Sequence, residues 1–403
     1  MKDSLARCAP WDENPHVRRF PALIAAAAVA AALVVAPTAS PTGSSNFIRS
    51  GIFDDAQVLY GNPDKLFPAL KAANTETIRV NLWWGGPNGV ASNQPAKPSD
   101  PADPAYNWAT YDRTVRYADA YSIRVLFSII GTPNWANGAK GWNVAPTRPA
   151  DLQQFAIAAA RRYSGKFIAP DDRPLPRVIY WLAWNEPNNP VFLRPQYRNV
   201  AGNWQIQSAK DYAAICNAVV VGIKAVKGSG RVACGATGPR GNNNPNTDRA
   251  SVSPLAFMRA MKAAGARGFD AYDHHPYYGM PSETPSTKPP PGIHGNEPTA
   301  ITLGNFDVFL RELTRVYGSS MRVWVTEYGY QTNPPDGVAG VSWAKQAVYL
   351  KEAYQIVRRN RRVDLFLWFL FKDEIRPDGW QSGLLTADGR KKPAYNVFRT
   401  MHG

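Results

Sequence analysis

Apolar runs typical of buried β-strands alternate with amphipathic helical segments along most of this chain. Continuous apolar runs are expected of strands in a parallel sheet that is covered on both faces. Eight such runs span residues 47–53, 77–83, 123–130, 177–184, 231–236, 269–275, 321–327 and 363–371. Apolar residues at steps of three and four predict helices between them, for example over 212–226, 306–316 and 343–357, and a last short helix over 393–401.

Eight βα units in a chain of 403 residues predict a single (β/α)8 TIM barrel with right-handed crossovers. An open, doubly wound sheet is the alternative. It is disfavoured because no glycine-rich turn follows the first strand, where a dinucleotide or phosphate site would lie. No shift in composition marks an internal boundary, so we expect one domain from residue 46 to residue 403. Stretches rich in Pro, Gly and Asn follow strands at 85–104, 240–249 and 280–298, as expected of loops at the C-terminal end of a barrel.

The N-terminal segment has the features of a secretory signal. The apolar residues 22–36 follow Arg18 and Arg19 and lead into small residues and prolines. We therefore expect residues 1–39 to be a signal peptide, residues 40–45 to be a linker, and the protein to be secreted or extracytoplasmic. Retention of the apolar segment as an N-terminal anchor is the alternative.

The cysteines and the net charge leave alternatives open. Cys8 precedes the apolar segment, so Cys216 and Cys234 remain in the exported part, either as a disulfide or as two buried thiols. Lys and Arg total 46 against 31 Asp and Glu, which gives a formal charge of +15. Such a surplus fits an anionic partner or only the surface of a secreted protein. We favour the second, because basic residues occur only in short groups, and we expect no nucleic-acid partner.

Two glutamates end apolar strands. Glu186 lies in Asn185-Glu186-Pro187 after the fourth strand, and Glu327 ends the seventh. An acidic residue at the end of a buried strand is costly unless it is paired, hydrogen-bonded or open to a cleft. A single such glutamate would suggest a structural ion pair. Two at the same end of one barrel predict a functional pair of carboxylates.

These motifs resemble those of clan A glycoside hydrolases, which are (β/α)8 retaining enzymes that include the cellulase-like family 5 and the β-xylosidase-like family 39. The resemblance covers the chain in strand order from about residue 46 to the C-terminus. It implies that Glu186 is the general acid/base and Glu327 the nucleophile of a double displacement. It also implies a carbohydrate substrate, with no metal and no cofactor.

Three further residues fit this resemblance. Arg79 is a charge within an apolar strand, where charges are rarely buried unpaired. The resemblance places it near the nucleophile, and a salt bridge at the base of the barrel is the alternative. Asn185 is implied to bind the sugar 2-hydroxyl. In His275-Pro276-Tyr277 the tyrosine hydroxyl is implied to contact the nucleophile, and we favour Tyr277 over Tyr278 for this role.

Several aromatic and histidine side chains remain to be placed. Adjacent residues of a strand point to opposite sides, so His274 and His275 are not expected to share a metal. The resemblance implies that Trp368 on the eighth strand floors a sugar subsite, with core packing as the alternative. Trp135, after the third strand, is the best candidate for a ring that stacks on a sugar.

The sequence therefore predicts a secreted, monomeric, retaining O-glycoside hydrolase that acts on polysaccharides or oligosaccharides. One alternative is a barrel that binds carbohydrate or cell wall without catalysis. Another is an anchored envelope protein whose basic surface holds anionic wall polymers.

Overall fold

Parallel β-strands close into a barrel in the computed structural model, which describes residues 48–290 and 298–401. The predicted signal segment and linker lie outside the described residues. The eight barrel strands within the described ranges are β1 Arg49–Phe53, β2 Thr77–Trp83, β3 Arg124–Ile130, β4 Tyr180–Ala183, β7 Arg231–Thr237, β8 Ala271–His274, β9 Arg322–Tyr328 and β10 Val363–Phe369. They neighbour one another in chain order, and β1 pairs with β10 to close the cylinder. The closure confirms the predicted (β/α)8 barrel and excludes an open doubly wound sheet.

Helices pack around the barrel and connect successive strands. They are α1 Asp55–Tyr60, α2 Pro63–Ala72, α3 Ala109–Ala120, α4 Asn134–Asn137, α5 Pro149–Arg162, α6 Gln207–Lys224, α7 Pro254–Ala263, α8 Phe306–Tyr317, α9 Trp343–Arg358 and α10 Pro393–Arg399. A two-stranded antiparallel hairpin, β5 Tyr197–Val200 and β6 Asn203–Ile206, interrupts the connection between β4 and α6. None of the helices in the described part of the chain has the length and apolarity to cross a bilayer.

The interior of the barrel is filled by side chains. Tyr180 and Trp324 meet edge to face, with their ring centroids 5.6 Å apart. Small residues on β7 and β8 leave room for these two large rings. The cluster consists of Leu126, Tyr180, Leu182, Ala233, Ala236, Ala271, Trp324, Leu365 and Leu367. Such a packed layer makes the barrel a solid support for groups at its C-terminal end.

The predicted strands agree with the structure within two residues at their described ends, except at β4. Its predicted start at residue 177 was wrong, because pairing begins only at Tyr180. The strand also ends early, since Trp184 and Glu186 have φ angles of 68° and 36°. This left-handed backbone cannot continue a strand and is uncommon for residues other than glycine.

Cys216 and Cys234 form a disulfide, with their Cα atoms 5.9 Å apart. The bond joins α6 to β7, so it connects a helix of the outer layer to the strand it covers. Of the two alternatives that the sequence left open, the structure therefore shows the disulfide.

Candidate active site

A bulge in β9 brings Glu327 into the barrel mouth. Val325 pairs with Phe366 and Tyr328 pairs with Trp368, so three steps along β9 match two steps along β10. Because β9 carries one extra residue here, alternation is interrupted. Thr326 and Glu327, although adjacent, both contact Arg79 in the interior.

Glu186 reaches the same place from the loop after β4. Its backbone is left-handed, which is costly for a residue with a Cβ atom and is typical of functional sites. Nδ2 of Asn189 donates to Oε2 of Glu186 over 3.3 Å. Gly238 packs closely against the carboxyl group, since a Cβ atom there would lie 2.9 Å from Cδ of Glu186. The loop thus fixes where this carboxyl group points.

His275 lies between the two glutamates. Its Nδ1 is 3.2 Å from Oε1 of Glu186 and 3.6 Å from Oε1 of Glu327. One side-chain donor atom from each of these three residues lies within 4.8 Å of the others. The two carboxyl groups are therefore close enough to act on one bound atom.

Arg79 supplies a fully buried positive charge beneath this pair. Its Nη1 lies 2.7 Å from Oε1 of Glu327 and donates to Oγ1 of Thr326 over 3.0 Å. Its Nη2 donates to Oδ1 of Asn185 over 2.6 Å. The guanidinium therefore connects the strand that carries Glu327 to the loop that carries Glu186. It does not form the alternative salt bridge at the base of the barrel.

Burial raises the pKa of Glu327, while the positive charges of His275 and Arg79 oppose this increase. Burial alone would lower the pKa of His275, but the negative charges of Glu327 and Asp273 outweigh it and raise that pKa to about 10. The surrounding carboxylates thus favour the protonated ring. Its Nδ1 lies toward Glu186, and its Nε2 lies between Asp273 and Nη1 of Arg79, 3.2 Å from each.

Asp273, a site residue that the sequence analysis missed, is fully buried on β8. Its Oδ2 lies 3.2 Å from Nε2 of His275 and accepts from Oγ1 of Thr326 over 2.7 Å. A signal for it was present, because Asp273 is two residues before His275 and so shares its face of the strand. It is also a charge in an apolar strand, which was the argument that identified Arg79.

The two histidines lie on opposite faces of the sheet. The ring of His274 stacks on Phe309 of α8 at 4.9 Å, outside the barrel. Burial lowers the pKa of His274 to about 3, so it is neutral at ordinary pH. His274 therefore belongs to the core, whereas His275 belongs to the site.

Tyr277 and Tyr278 are also separated. The hydroxyl of Tyr277 donates to Oε2 of Glu327 over 3.3 Å. Tyr278 instead stacks on Tyr330 at 3.9 Å and donates to the carbonyl of Ala339. Tyr277 is therefore the tyrosine that contacts the carboxylate of β9.

The prediction that Trp368 floors a sugar subsite was wrong. Trp368 is fully buried on the outer face of β10, where its ring packs against Tyr328 and its Nε1 donates to the carbonyl of Ser382. The next residue, Phe369, is partly exposed and faces the site, with its ring 6.3 Å from Tyr277 and 5.3 Å from Trp380. Phe369 and Trp380 therefore form an aromatic surface beside Tyr277 at the barrel mouth.

Trp135 lies in α4 among the loops that follow β2 and β3. Its ring meets Trp84 edge to face at 5.6 Å, and its Nε1 donates to the carbonyl of Ala91 over 2.9 Å. It is half-buried, and its role as a sugar platform stays a prediction. A second aromatic group is formed by Trp83 and Trp142 at 5.1 Å, with Phe192 beside Trp142.

Glu186, His275 and Glu327 are arranged closely enough to hold a metal ion. The Arg79 guanidinium, 2.7 Å from Glu327, opposes this because it already neutralises the carboxylate. The same set suits an acid, a nucleophile and a stabilising charge around an electrophilic carbon.

A closed (β/α)8 barrel with two glutamates at the C-terminal ends of its fourth and seventh strands has the architecture of clan A glycoside hydrolases. Solved structures of glycoside hydrolases share this fold with the chain. No family model and no curated protein matches its sequence.

Three of the similar structures show the range of the likeness. A family 39 glycoside hydrolase from Bacteroides cellulosilyticus WH2 has a TM-score of 0.59 and 22% identity, over 87% of this chain and 62% of its own. A glucosidase from Croceicoccus marinus has a TM-score of 0.61 and 16% identity, over 89% and 66%. A GH53 catalytic domain from Ignisphaera aggregans has a TM-score of 0.54 and 16% identity, over 91% and 98%. The chain thus spans less than two thirds of the length of the first two structures, and the likeness establishes the fold.

Proposed function

We propose that this protein is a retaining O-glycoside hydrolase that cleaves glycosidic bonds in polysaccharides or oligosaccharides. The proposal depends on one observation: oxygens of Glu186 and Glu327 lie within 4.8 Å of one another at the barrel mouth. Retaining enzymes hold their carboxyl groups about 5–5.5 Å apart, whereas inverting enzymes separate them by about 6.5–9.5 Å to admit a water molecule. The spacing supports double displacement.

Glu327 is the proposed nucleophile, because the Arg79 guanidinium and the Tyr277 hydroxyl both donate hydrogen bonds to its carboxylate. Arg79 and His275 lie beside Oε1, and the hydroxyl of Tyr277 donates to Oε2. In the first step a Glu327 oxygen bonds to the anomeric carbon while the bond to the leaving oxygen breaks. The negative charge of Glu327 disappears in the ester that forms and returns when the ester is cleaved.

Glu186 is the proposed acid and base. In its protonated form it gives its proton to the leaving oxygen and becomes a carboxylate. It then takes a proton from the water that attacks the anomeric carbon, which restores the starting state of both glutamates. His275 and Asn189 each lie within hydrogen-bond distance of one Glu186 oxygen, so they support the carboxylate form that exists between the two steps.

Asn185 is proposed to bind the sugar 2-hydroxyl. Its Oδ1 already accepts from Arg79 over 2.6 Å, which fixes the amide plane and leaves the NH2 group as the donor for a substrate. Such contacts stabilise the transition state more than the ground state.

Export is part of the proposal. The disulfide between Cys216 and Cys234 supports it, because disulfides persist in oxidising compartments. We propose that the mature protein acts as a monomer outside the cytoplasm, after cleavage of its signal or anchored by it.

The test combines two variants with product analysis. Glu327→Gln and Glu186→Gln are assayed on aryl glycosides and on a panel of polysaccharides, and proton NMR follows the anomer that is released first. We expect loss of turnover in Glu327→Gln and retention of configuration in the parent protein. Glu352→Gln, a change on α9, is the matched control and should be as active as the parent protein. Undiminished turnover by Glu327→Gln, or an inverted first product, would refute the proposal.

A further inference from the structure

The hairpin β5–β6 projects from the barrel with both of its faces in solvent. Residues 198–200 and 203–205 are exposed, including Val200 at 43% and Trp204 at 48%. Only its base is packed, through Tyr197 and Ile206. Since an isolated two-stranded hairpin is at best marginally stable in water, its exposed tip contributes little to the fold. An exposed tryptophan at such a position suggests a contact with another molecule.

The base of the hairpin is tied to the loop that carries Glu186. Gln196, which is 3% exposed, donates from Nε2 to the carbonyl of Pro187 over 2.9 Å. Its Oε1 accepts from Oγ of Ser208 over 3.3 Å, on the other side of the hairpin. The hairpin therefore begins beside the residue that follows Glu186, at the same end of the barrel.

Trp204 lies directly opposite Asn199 in the hairpin ladder. The turn at Ala201 and Gly202 has φ angles of 51° and 86°, which suit a tight hairpin. Oδ1 of Asn199 accepts from the Gly202 amide over 2.9 Å and leaves its NH2 group for a ligand. A ring and an amide thus share one exposed face.

The chemistry of this face fits a sugar better than a protein. The C–H groups of a pyranose ring pack on an aromatic face, and amide side chains match sugar hydroxyls. Val200 pairs with Asn203 and so lies on the opposite face of the hairpin. Tyr197 and Ile206 share the face of Trp204 but are half-buried against the barrel. The exposed apolar area on this face is therefore far below the roughly 800 Å² that each partner buries in a stable protein interface.

We propose that Trp204 and Asn199 bind a sugar unit of a polysaccharide chain, outside the two units that are joined by the bond that is cleaved. The three steps along the chain from Gln196 to Asn199 cover roughly 10 Å of strand, which is longer than one sugar ring. A single sugar therefore does not contact both Glu186 and Trp204. The inference rests on the proposed function and narrows its substrate class to polymers. Short glycosides fill only the site between the glutamates.

Binding is measured in the Glu327→Gln background, so that the result does not depend on cleavage. Affinity gel electrophoresis uses gels that contain soluble xylan, galactan or mixed-linkage β-glucan. We expect at least one polymer to retard the Glu327→Gln protein and expect Trp204→Ala to weaken that binding about tenfold, the loss of one aromatic contact. Trp204→Phe, which keeps a ring, should restore most of the affinity. Val221→Ala is the matched control, because Val221 is 51% exposed on α6 and lies outside the hairpin.

A second measurement compares substrates in the active protein. Trp204→Ala should raise KM for the retarding polymer and leave kcat/KM for an aryl glycoside unchanged. Three results would overturn the inference. The polymers could retard Trp204→Ala as strongly as its parent, or no polymer could retard the parent at all. Trp204→Ala could also lose as much kcat/KM on the aryl glycoside as on the polymer. Light scattering that shows a dimer for the parent protein and a monomer for Trp204→Ala would also overturn it, because the hairpin face would then bind a second copy of the chain. Trp204-dependent retardation without cleavage would leave the inference standing while the proposed function fails.

Discussion

Nη1 of Arg79 lies 2.7 Å from Oε1 of Glu327, and the arginine side chain has no exposed surface. An ion pair in such a place differs from one at the surface, because removal of one partner leaves the other charge buried and uncompensated. Arg79 also donates to Asn185, so one guanidinium orients groups of both β9 and the loop after β4. The geometry makes the charge of Glu327 dependent on Arg79.

Replacement of Arg79 should therefore change the pH profile as well as the rate. In Arg79→Ala the pKa of Glu327 rises further, because burial is no longer opposed by the guanidinium. Since the nucleophile must be ionised, the acid limb of kcat/KM should move to higher pH by about one unit or more, with a rate loss of about a hundredfold or more at neutral pH. Arg116→Ala, at an exposed ion pair with Asp171, is the control. If the acid limb stays at its original pH in Arg79→Ala, the Arg79 charge does not control the ionisation of Glu327.

Removal of Glu186 should affect substrates according to their leaving groups. A dinitrophenolate leaves without protonation, so Glu186→Ala should still form the glycosyl enzyme from a dinitrophenyl glycoside. Glycosides of poor leaving groups should react about 10²–10⁴ times more slowly than with the parent protein. Azide, a nucleophile that needs no base, should restore turnover of the dinitrophenyl glycoside and yield a glycosyl azide. Equal losses on both kinds of substrate, with no azide product, would argue against the acid/base role.

Phe369 and Trp368 provide a matched pair of adjacent aromatic residues on opposite faces of β10. Phe369→Ala should raise KM and change Tm little, because the ring is partly exposed in the mouth. Trp368→Ala should reduce the free energy of unfolding by about 3–5 kcal/mol, as truncation of a fully buried ring does. Thermal melts and steady-state kinetics separate the two effects. A raised KM with little change in Tm for Trp368→Ala, and a large loss of stability for Phe369→Ala, would instead place Trp368 in the site.

Asp55 should make stability depend on pH. Burial raises its pKa to about 7, although the Asn81 amide and the Arg79 charge act in the opposite direction. Below about pH 4 the carboxyl is protonated in both the folded and unfolded states. As pH rises from 4 to 7 the unfolded chain loses this proton while the folded protein keeps it, so stability falls over that range.

Asp55→Asn cannot ionise but can still accept from the Asn81 amide. Its advantage over the parent protein should therefore grow between pH 4 and pH 8, by on the order of 1–2 kcal/mol. Urea titrations at the two pH values measure this difference. Asp54, whose pKa burial raises to about 6, contributes a slope of the same sign in both proteins. A difference that does not vary with pH would show that Asp55 titrates normally.

Reduction of the disulfide should destabilise the barrel. Cys216 and Cys234 are 18 residues apart, and closing a loop of that length in the unfolded chain corresponds to about 3 kcal/mol. We expect a lower Tm in the presence of reductant, and an equal decrease in Cys216→Ala/Cys234→Ala. The double variant should then be insensitive to reductant. A double variant as stable as the oxidised parent would contradict the expectation.

The architecture was accessible from the sequence because it depends on a repeated pattern. Eight apolar runs predicted the barrel, and the position of Glu186 and Glu327 at strand ends predicted where they would meet. Arg79 could be found because a charge in an apolar strand needs a partner.

The orientation of side chains on individual strands was harder to predict. Trp368 and Phe369 are both apolar, and a strand that is buried on both faces gives no alternation to show which residue points inward. The bulge in β9 has no local sequence signal, since it is defined by pairing with β10. The exposure of Trp204 likewise depends on a hairpin that packs only at its base.

The extra residue in β9 is needed for the site but not for closure of the barrel. Shortening the strand by one residue between Val325 and Tyr328 would remove the register shift at this point, while the opposite shift between Val363 and Leu365 would stay. It would leave room for only one inward side chain where Thr326 and Glu327 now stand. The cylinder could still close, with its helices in place, yet it would lack either the threonine that joins Arg79 to Asp273 or the carboxylate itself. A single-codon deletion could thus leave a closed barrel with an incomplete site.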